Sequence, residues 1–295
     1  MSKRLIAHIA LFTANLIYGI NYTVAKDVMP DFIQPLGFIF LRVSGAVLLF
    51  WFCYRLFFYE KVSKGDLFKL ALCGLFGVAI NQMLFFEGLN LTTPINAAVI
   101  MVTNPILVLI MGAFLSAESI TKRKMLGIAL GATGAISLIS YGGAVELNPK
   151  HFWGNIMVLI NAASYGVYLV LVKPLMQKYK PITVISWVFL FGFIFVFPLG
   201  WREFQVIEWI SMPTEILWKA AFVVICTTFM AYLLNIYGLK SLNPSTVSTY
   251  IYLQPVLTSL VAIFAGSDSL SPVKISAALI IFAGVYLVSI RPKQN

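Results

Sequence analysis

The sequence predicts an all-helical integral membrane protein with ten transmembrane helices, built as two inverted five-helix repeats. The first observation behind this prediction is composition: 60% of the 295 residues are hydrophobic and 11% are charged, whereas soluble domains carry roughly 25% charge. A soluble globule of this size would lack enough polar surface to cover itself, so the lipid bilayer is the expected solvent. The second observation is that residues 84–140 recur at 234–290 with a constant offset of 150 and no gap.

The repeat is carried by glycines, prolines and aromatic residues at matching positions. The pairs that establish it are Gly88 and Gly238, Pro94 and Pro244, Pro105 and Pro255, Phe114 and Phe264, and Gly134 and Gly284. The opening helices of the two halves match at an offset of 147, pairing Tyr18 with Tyr165 and Lys26 with Lys173. The sequence therefore predicts one repeat over residues 1–146 and a second over 147–295.

Ten apolar stretches are long enough to cross about 30 Å of hydrocarbon at about 1.5 Å per residue. In order, these predicted spans 1–10 cover 5–26, 32–54, 67–89, 92–115, 123–141, 152–173, 181–200, 217–239, 244–265 and 272–290. Five spans per repeat is an odd number, so the second repeat must enter the membrane from the opposite side. The same module then forms a gate at each membrane face around one central site, as in secondary transporters that work by alternating access.

The basic residues predict the orientation of the chain. With both termini in the cytoplasm, 15 of the 21 lysines and arginines fall on the cytoplasmic side and five on the other, while Arg42 lies within a span. Cytoplasmic loops are enriched in these residues. We therefore expect a multi-pass protein of the cytoplasmic (inner) membrane, and the net charge of +10 does not call for a nucleic-acid partner.

Residues that would indicate an enzyme or a bound metal do not form recognisable patterns. The three cysteines are far apart in apolar segments, and His8 and His151 lack metal-ligand spacing. The chain has no phosphate-binding glycine-lysine loop and no aspartate in the middle of a span. We expect no cofactor, no metal and no enzymatic activity; the expected partners are the lipid bilayer and a small-molecule solute.

Several of these positions resemble a known family. Span 1 carries Tyr18-Gly19-Ile20-Asn21 and ends near Lys26, and span 2 carries Pro35 and Arg42. Spans 3 to 5 add Gly88-Leu89, Pro94, Ala97-Ala98, Pro105, Glu118, Gly127 and Gly134. Over essentially its whole length the chain resembles the EamA-type ten-helix transporters of the drug/metabolite transporter (DMT) superfamily.

This resemblance implies the ten-helix fold and solute transport. Similar proteins move amino acids, sugars, nucleotide-like metabolites and drugs, mostly outward, so the resemblance implies an exporter of a small metabolite such as an amino acid. The second repeat departs from the pattern because Val188 or Phe189 stands where an arginine is expected. Any role of Arg42 is therefore asymmetric between the repeats.

Candidate gating residues include Pro105 and Pro255, which lie in the middle of spans 4 and 9. Proline removes a backbone hydrogen bond and bends the helix. These prolines are either paired hinges or static packing kinks.

A second group of candidates lies on one face of each of these two spans. Asn96 and Asn104 lie on that face of span 4, and Thr246, Tyr250 and Gln254 lie on that face of span 9. Polar groups facing lipid would be costly, so these side chains should point inward. They either bind solute or form hydrogen bonds between helices.

Aromatic and amide residues of spans 1, 3 and 6 are further candidates for binding a small organic solute. They are Tyr18, Asn21, Asn81, Tyr165 and Tyr168. The alternative for the tyrosines is an interfacial aromatic belt.

Two charged residues within spans are candidates for coupling or gating. Arg42 either attracts a solute carboxylate or phosphate or makes a structural pair, for example with Glu87. Glu87 either carries a coupling proton, forms an ion pair at the rim, or reaches water.

Gly127, Gly131 and Gly134 form a small-residue face on span 5. This face suits close helix packing, including contact between two copies of the chain in a homodimer.

Taken together, the sequence favours a secondary transporter over the alternative of a non-transporting membrane sensor or scaffold.

Overall fold

A computed structural model describes residues 2–92, 94–116, 120–142, 151–264 and 271–290, and these residues are helical almost throughout. The observed bounds of spans 1–10 are Lys3–Val28, Pro35–Phe57, Lys64–Leu91, Pro94–Met101 with Asn104–Ser116, Lys122–Gly142, Phe152–Lys178, Pro181–Gln205, Thr214–Ser241, Pro244–Thr249 with Leu253–Phe264, and Pro272–Ser289. Seven helices of the described chain, spans 2, 3, 5, 6, 7, 8 and 10, are each long and apolar enough to cross a membrane. The predicted all-helical membrane fold is confirmed.

Spans 4 and 9 are each broken near the middle, just before a proline. The α-helix of span 4 is interrupted by a turn at residues 102–103, and that of span 9 is interrupted by a 3₁₀ turn at Tyr250–Tyr252. Pro105 and Pro255 follow in the first turn of the second segment, where proline is tolerated because the N–H it lacks has no partner in the helix. The sequence pattern therefore places a helix break at equivalent depth in both repeats.

Spans 3 and 8 each contain a wide π-helical stretch at equivalent positions. These stretches are Leu75–Ala79 and Val223–Met230, which overlap at the 150-residue offset. Such wide turns inside α-helices are often found at functional sites. Here each one ends shortly before a cavity-lining side chain, Gln82 in span 3 and Tyr232 in span 8.

The two repeats make the same contacts with their roles exchanged. A Cβ atom added at Gly88 of span 3 would lie 2.9 Å from Cγ2 of Val158 of span 6. At the equivalent Gly238 of span 8, it would lie 2.7 Å from Cδ2 of Leu11 of span 1, the counterpart of Val158. Helix packing is therefore related by a pseudo-twofold axis, as the inverted-repeat prediction requires.

Two contacts join a residue to its own repeat counterpart and so mark the axis itself. Gln82 Nε2 donates a hydrogen bond of 3.2 Å to the Tyr232 hydroxyl, and these residues are 150 positions apart. The Tyr252 hydroxyl donates one of 3.1 Å to the carbonyl of Val102, again 150 positions away. A contact of this kind lies on the rotation axis, which therefore passes between spans 3 and 8 and between spans 4 and 9.

The small-residue face of span 5 packs within the chain. A Cβ atom at Gly284 of span 10 would lie 2.6 Å from both the carbonyl oxygen of Gly127 and the backbone nitrogen of Gly131. Small residues here let the two backbones approach closely. A homodimer remains a prediction, and it would use another surface.

The outer surface of the bundle is apolar, and the two ends of the described chain, Ser2 and Ile290, lie at one end of it. Phe114 and its counterpart Phe264 are 84% and 88% exposed, as side chains facing lipid are. The guanidinium of Arg4, at the start of span 1, donates a hydrogen bond to the carbonyl of Ser289, at the end of span 10. We call this end of the bundle the termini face. The predicted boundary between repeats, at 146/147, falls outside the described residues and stays a prediction.

Candidate functional site

A cavity of about 380 Å³ lies between spans 1, 3, 6 and 8 at the pseudo-twofold axis. This volume is in the range of small-molecule binding sites. Spans 2, 4 and 9 complete its wall. The polar side chains in the wall are Asn15, Tyr18, Asn21, Arg42, Asn81, Gln82, Asn90, Asn161, Tyr165, Tyr168, Thr227, Tyr232, Asn235 and Gln254.

Four tyrosines form much of the wall. The ring centres of Tyr165 and Tyr168 are 5.9 Å apart. The rings of Tyr18 and Tyr232 are perpendicular to each other, with their centres 6.4 Å apart. The Tyr18 hydroxyl accepts a hydrogen bond of 3.2 Å from Asn235 Nδ2. Because each ring offers an apolar face and a hydroxyl, this wall suits a solute with both apolar and polar parts.

Arg42 is the one charged side chain among the described residues that line the cavity. Its Nε donates a hydrogen bond of 3.1 Å to Thr228 Oγ1, and its guanidinium carbon lies 4.8 Å from the centre of the Phe86 ring. The other two guanidinium nitrogens have no hydrogen-bond or ion-pair partner in the described part of the chain. They can bind both oxygens of a carboxylate, which is the geometry that guanidinium favours.

Several buried oxygens around the cavity lack a donor. Asn21 Oδ1, Gln82 Oε1, Asn161 Oδ1 and Thr227 Oγ1 have no hydrogen-bond partner among the described residues. An unsatisfied buried acceptor costs about 1–3 kcal/mol, and groups that lack partners in a native structure call for an explanation. A solute that carries several N–H or O–H groups would supply the missing donors.

The cavity is open at one end and closed at the other. At the end away from the termini face, Pro30 and Asn90 line the cavity and are exposed. Toward the termini face it is lined by Leu169, Leu239 and Val247, which are only 2%, 0% and 2% exposed. The structure is therefore open to the face opposite the termini.

Comparison with known proteins decides the family. The description "EamA-like transporter family" matches residues 5–140 and again 152–290. The chain belongs to the EamA-like transporter family. It is consequently a multi-pass membrane transporter, with the bilayer and a small solute as its partners.

Relatives of this EamA-like transporter come from distant organisms. An "uncharacterized transporter" of Archaeoglobus fulgidus is 24% identical over 97% of this chain and 98% of its own length. The "uncharacterized transporter YetK" of Bacillus subtilis is 23% identical over 100% of this chain and 90% of its own. The Arabidopsis thaliana "Protein WALLS ARE THIN 1" is 26% identical over 97% and 83%. A crystal structure that is 18% identical superposes with a TM-score of 0.80 over 96% of this chain and 97% of the other, which supports the fold.

Half of the candidate residues of this EamA-like transporter lie on the cavity. The structure places seven of them there: Tyr18, Asn21, Arg42, Asn81, Tyr165, Tyr168 and Gln254. Arg42 does not pair with Glu87; its described partners are Thr228 and the rings of Phe38 and Phe86. Contact of these residues with solute stays a prediction, now supported by their common location.

Three polar candidates are buried against helices, away from the described cavity wall. Asn104 Nδ2 donates a hydrogen bond of 3.0 Å to the carbonyl of Ala162. The Tyr250 hydroxyl lies 2.7 Å from His8 Nδ1, and Thr246 Oγ1 lies 3.5 Å from the carbonyl of Val288. These contacts favour the alternative of hydrogen bonding between helices.

The other candidates are not part of the described wall either. Glu87 is half-buried in the last turns of span 3, and Pro105 and Pro255 lie beside the helix breaks. The side chain of Asn96 lies outside the described residues.

The candidates missed seven polar wall residues: Asn15, Gln82, Asn90, Asn161, Thr227, Tyr232 and Asn235. The repeat offset pairs Gln82 with Tyr232, but the two residues differ in chemistry and neither neighbours a proline. Their mid-span position was the one available signal. Their meeting across the axis is visible only when spans 3 and 8 are placed together.

Proposed function

We propose that this EamA-like transporter is a secondary transporter that exports a small zwitterionic solute, such as an amino acid, by alternating access. The observation that carries the proposal is the cavity on the pseudo-twofold axis. Its wall contains one arginine whose guanidinium can donate further hydrogen bonds, and several amide oxygens that lack a hydrogen-bond donor.

The solute class follows from this pairing of groups. A carboxylate matches the two open nitrogens of Arg42, and an ammonium group matches oxygens such as Asn21 Oδ1 and Gln82 Oε1. The aromatic wall would hold the apolar part of the solute. A neutral sugar would leave the charge of the buried Arg42 without a counter-charge, which is costly.

Alternating access is supported by two ion pairs, each of which joins two of the central spans. Lys178 of span 6 pairs with Asp66 of span 3 near the termini face. Lys219 of span 8 pairs with Asp27 of span 1 at 2.7 Å near the opposite face. Spans 3 and 6 would therefore move as one unit and spans 1 and 8 as another. Rocking of these units about the Gln82–Tyr232 contact would open the cavity to each face in turn.

The energy source that we propose is a solute gradient, exchange or a proton gradient. A coupling proton would have to be carried by a group such as Glu87, which lies outside the described cavity wall. Flux driven by an imposed pH gradient should collapse in Glu87→Gln if this residue carries the proton. Equal acceleration of flux in the native protein and the variant would remove Glu87 from the proton path.

The test is solute efflux from liposomes that contain the purified protein. Vesicles are loaded with a mixture of amino acids, the matching amines that lack the carboxylate, sugars and nucleosides, and each solute is followed by mass spectrometry against protein-free vesicles. We expect selective loss of amino acids, with the matching amines retained. Loss of amines and amino acids at equal rates would refute the solute class. Retention of every solute by folded protein, with each gradient imposed, would favour a sensor or scaffold instead.

A further inference from the structure

At the closed end of the cavity, a lysine of span 6 binds the end of span 8. Lys173, near the end of span 6, places its Nζ 2.5 Å from the carbonyl oxygens of both Leu239 and Leu242 and 3.4 Å from that of Lys240. These carbonyls belong to the last turn of span 8 and the residue after it. The last carbonyls of a helix lack partners within the helix and carry partial negative charge, so an ammonium group binds them well.

The Lys173 bonds lie where the cavity is closed toward the termini face. Leu239, whose carbonyl Lys173 binds, also lines the closed end of the cavity and is fully buried. Span 6 belongs to one proposed moving unit and span 8 to the other. The Lys173 bonds therefore cross between the units on the face where the cavity is shut.

The inverted repeat supplies an equivalent set of groups at the open end. Lys26 of span 1 is the counterpart of Lys173 at the 147-residue offset, and residues 89–92 of span 3 are the counterpart of 239–242. Leu89 and Asn90 line the open end of the cavity. Spans 1 and 3 again belong to different units, now on the face where the cavity is open.

We propose that Lys173 is the residue that latches the cavity shut at the termini face, and that Lys26 makes the equivalent bonds to the end of span 3 when the cavity opens the other way. Each bond set would stabilise one of the two states. This proposal rests on the alternating access proposed above. It adds the residues that hold each gate.

The test measures opening of the gate without any solute. Spin labels are attached at Lys180→Cys and Asn243→Cys, two exposed positions in the short loops that follow spans 6 and 8, in a protein whose three native cysteines are replaced. The distance between the labels is measured by pulsed electron resonance in liposomes. We expect a dominant short-distance population and a minor longer-distance population in the protein that keeps Lys173, and at least a tenfold rise of the longer-distance population in Lys173→Met. An unchanged distance distribution in folded Lys173→Met would overturn the proposal.

A matched control lies five residues further along the same helix. Lys178 is exposed and pairs with Asp66 of span 3, within one moving unit, so Lys178→Met should leave the distance distribution unchanged. An equal shift in both variants would mean that any lost charge loosens this face, and would also overturn the assignment.

A second variant keeps the proposal testable if Lys173→Met fails to fold. Lys26→Met should reduce the longer-distance population below its native level when solute is added, and should slow solute exchange at least tenfold. A native-like response to solute would overturn the role of Lys26. The same liposomes separate the two proposals: a gate that shifts without solute exchange contradicts the transport function alone, and exchange by a protein whose gate does not depend on Lys173 contradicts the latch alone.

Discussion

At the scale of single residues, Arg42 sets the chemistry of the cavity. One repeat carries this arginine, and the other carries Phe189 at the 147-residue offset of the opening helices, where it is buried against Phe50 and Tyr232. The pseudo-symmetric fold therefore holds an asymmetric site, with a positive end and an aromatic end. A zwitterionic solute would bind it in one orientation, with its carboxylate toward span 2.

Replacement of Arg42 tests this assignment. Arg42→Met should raise the KM for an amino acid about ten- to a hundredfold, because a hydrogen bond to a charged group contributes about 1.5–3 kcal/mol. The measurement is the concentration dependence of uptake into liposomes. Arg55→Met is the control, since Arg55 is exposed beside Tyr59 at the far end of span 2. An unchanged KM in Arg42→Met would exclude Arg42 from solute binding.

The repeat partners Asn104 and Gln254 should differ in effect, although the sequence presents them as equivalent. Gln254 Nε2 donates to Asn15 Oδ1 at 2.9 Å on the cavity wall, whereas Asn104 donates to the backbone of Ala162, the counterpart of Asn15. Gln254→Leu should raise the KM severalfold because the donor to Asn15 is lost. Asn104→Leu should leave the KM within about twofold of the native value, while the free energy of unfolding changes by about 1 kcal/mol. A larger KM effect in Asn104→Leu than in Gln254→Leu would contradict this assignment.

These residues show how far the sequence alone could locate the site. Tyr18 and Tyr165 were predictable because both repeats keep the same residue at the same position. Gln82 and Tyr232 were not, because they differ in type and meet only across the axis. Periodicity predicts that Asn104 lines the cavity because it defines one face of the helix. Periodicity does not show whether the side chain on that face reaches the cavity or a neighbouring backbone.

At the scale of helices, the repeat predicted the breaks in spans 4 and 9 because proline acts through local backbone chemistry. The π-helical stretches in spans 3 and 8 carry no comparable local signal, and they were found only in the structure. Glycines at helix crossings are partly predictable from the sequence. Their spacing predicts close packing, but the structure identifies the partner as span 10 within the same chain.

The crossing of spans 5 and 10 gives a prediction about stability. A Cβ atom at Gly284 would lie 2.6 Å from backbone atoms of Gly127 and Gly131, and backbone atoms cannot turn aside. Gly284→Ala should therefore lower the free energy of unfolding by about 1–3 kcal/mol, measured by thermal unfolding in detergent. Gly65→Ala, where a Cβ atom meets no other atom within 4 Å, should not destabilise the protein. Equal stability of the two variants would show that spans 5 and 10 are further apart than described.

At the scale of the whole molecule, the two repeats predict one face for both termini, and the hydrogen bond from Arg4 to Ser289 agrees with this. The basic residues predict that this face is cytoplasmic. A reporter enzyme that is active only in the cytoplasm should therefore be active when fused after Asn295. The same reporter inserted between spans 7 and 8, at residues 208–211, should be inactive. Activity in the reverse pattern would invert the orientation, and the open end of the cavity would then face the cytoplasm.

The central claim is that one solute site is exposed to the two faces in turn, and counterflow tests it most directly. Liposomes containing the protein are loaded with a high concentration of an unlabelled amino acid and diluted into a trace of the same amino acid carrying a radioactive label. The account predicts a transient accumulation of label inside the vesicles above its equilibrium level, followed by decay. A steady approach to equilibrium without this overshoot would indicate a pore rather than alternating access, and uptake no faster than in protein-free vesicles would contradict transport of this solute.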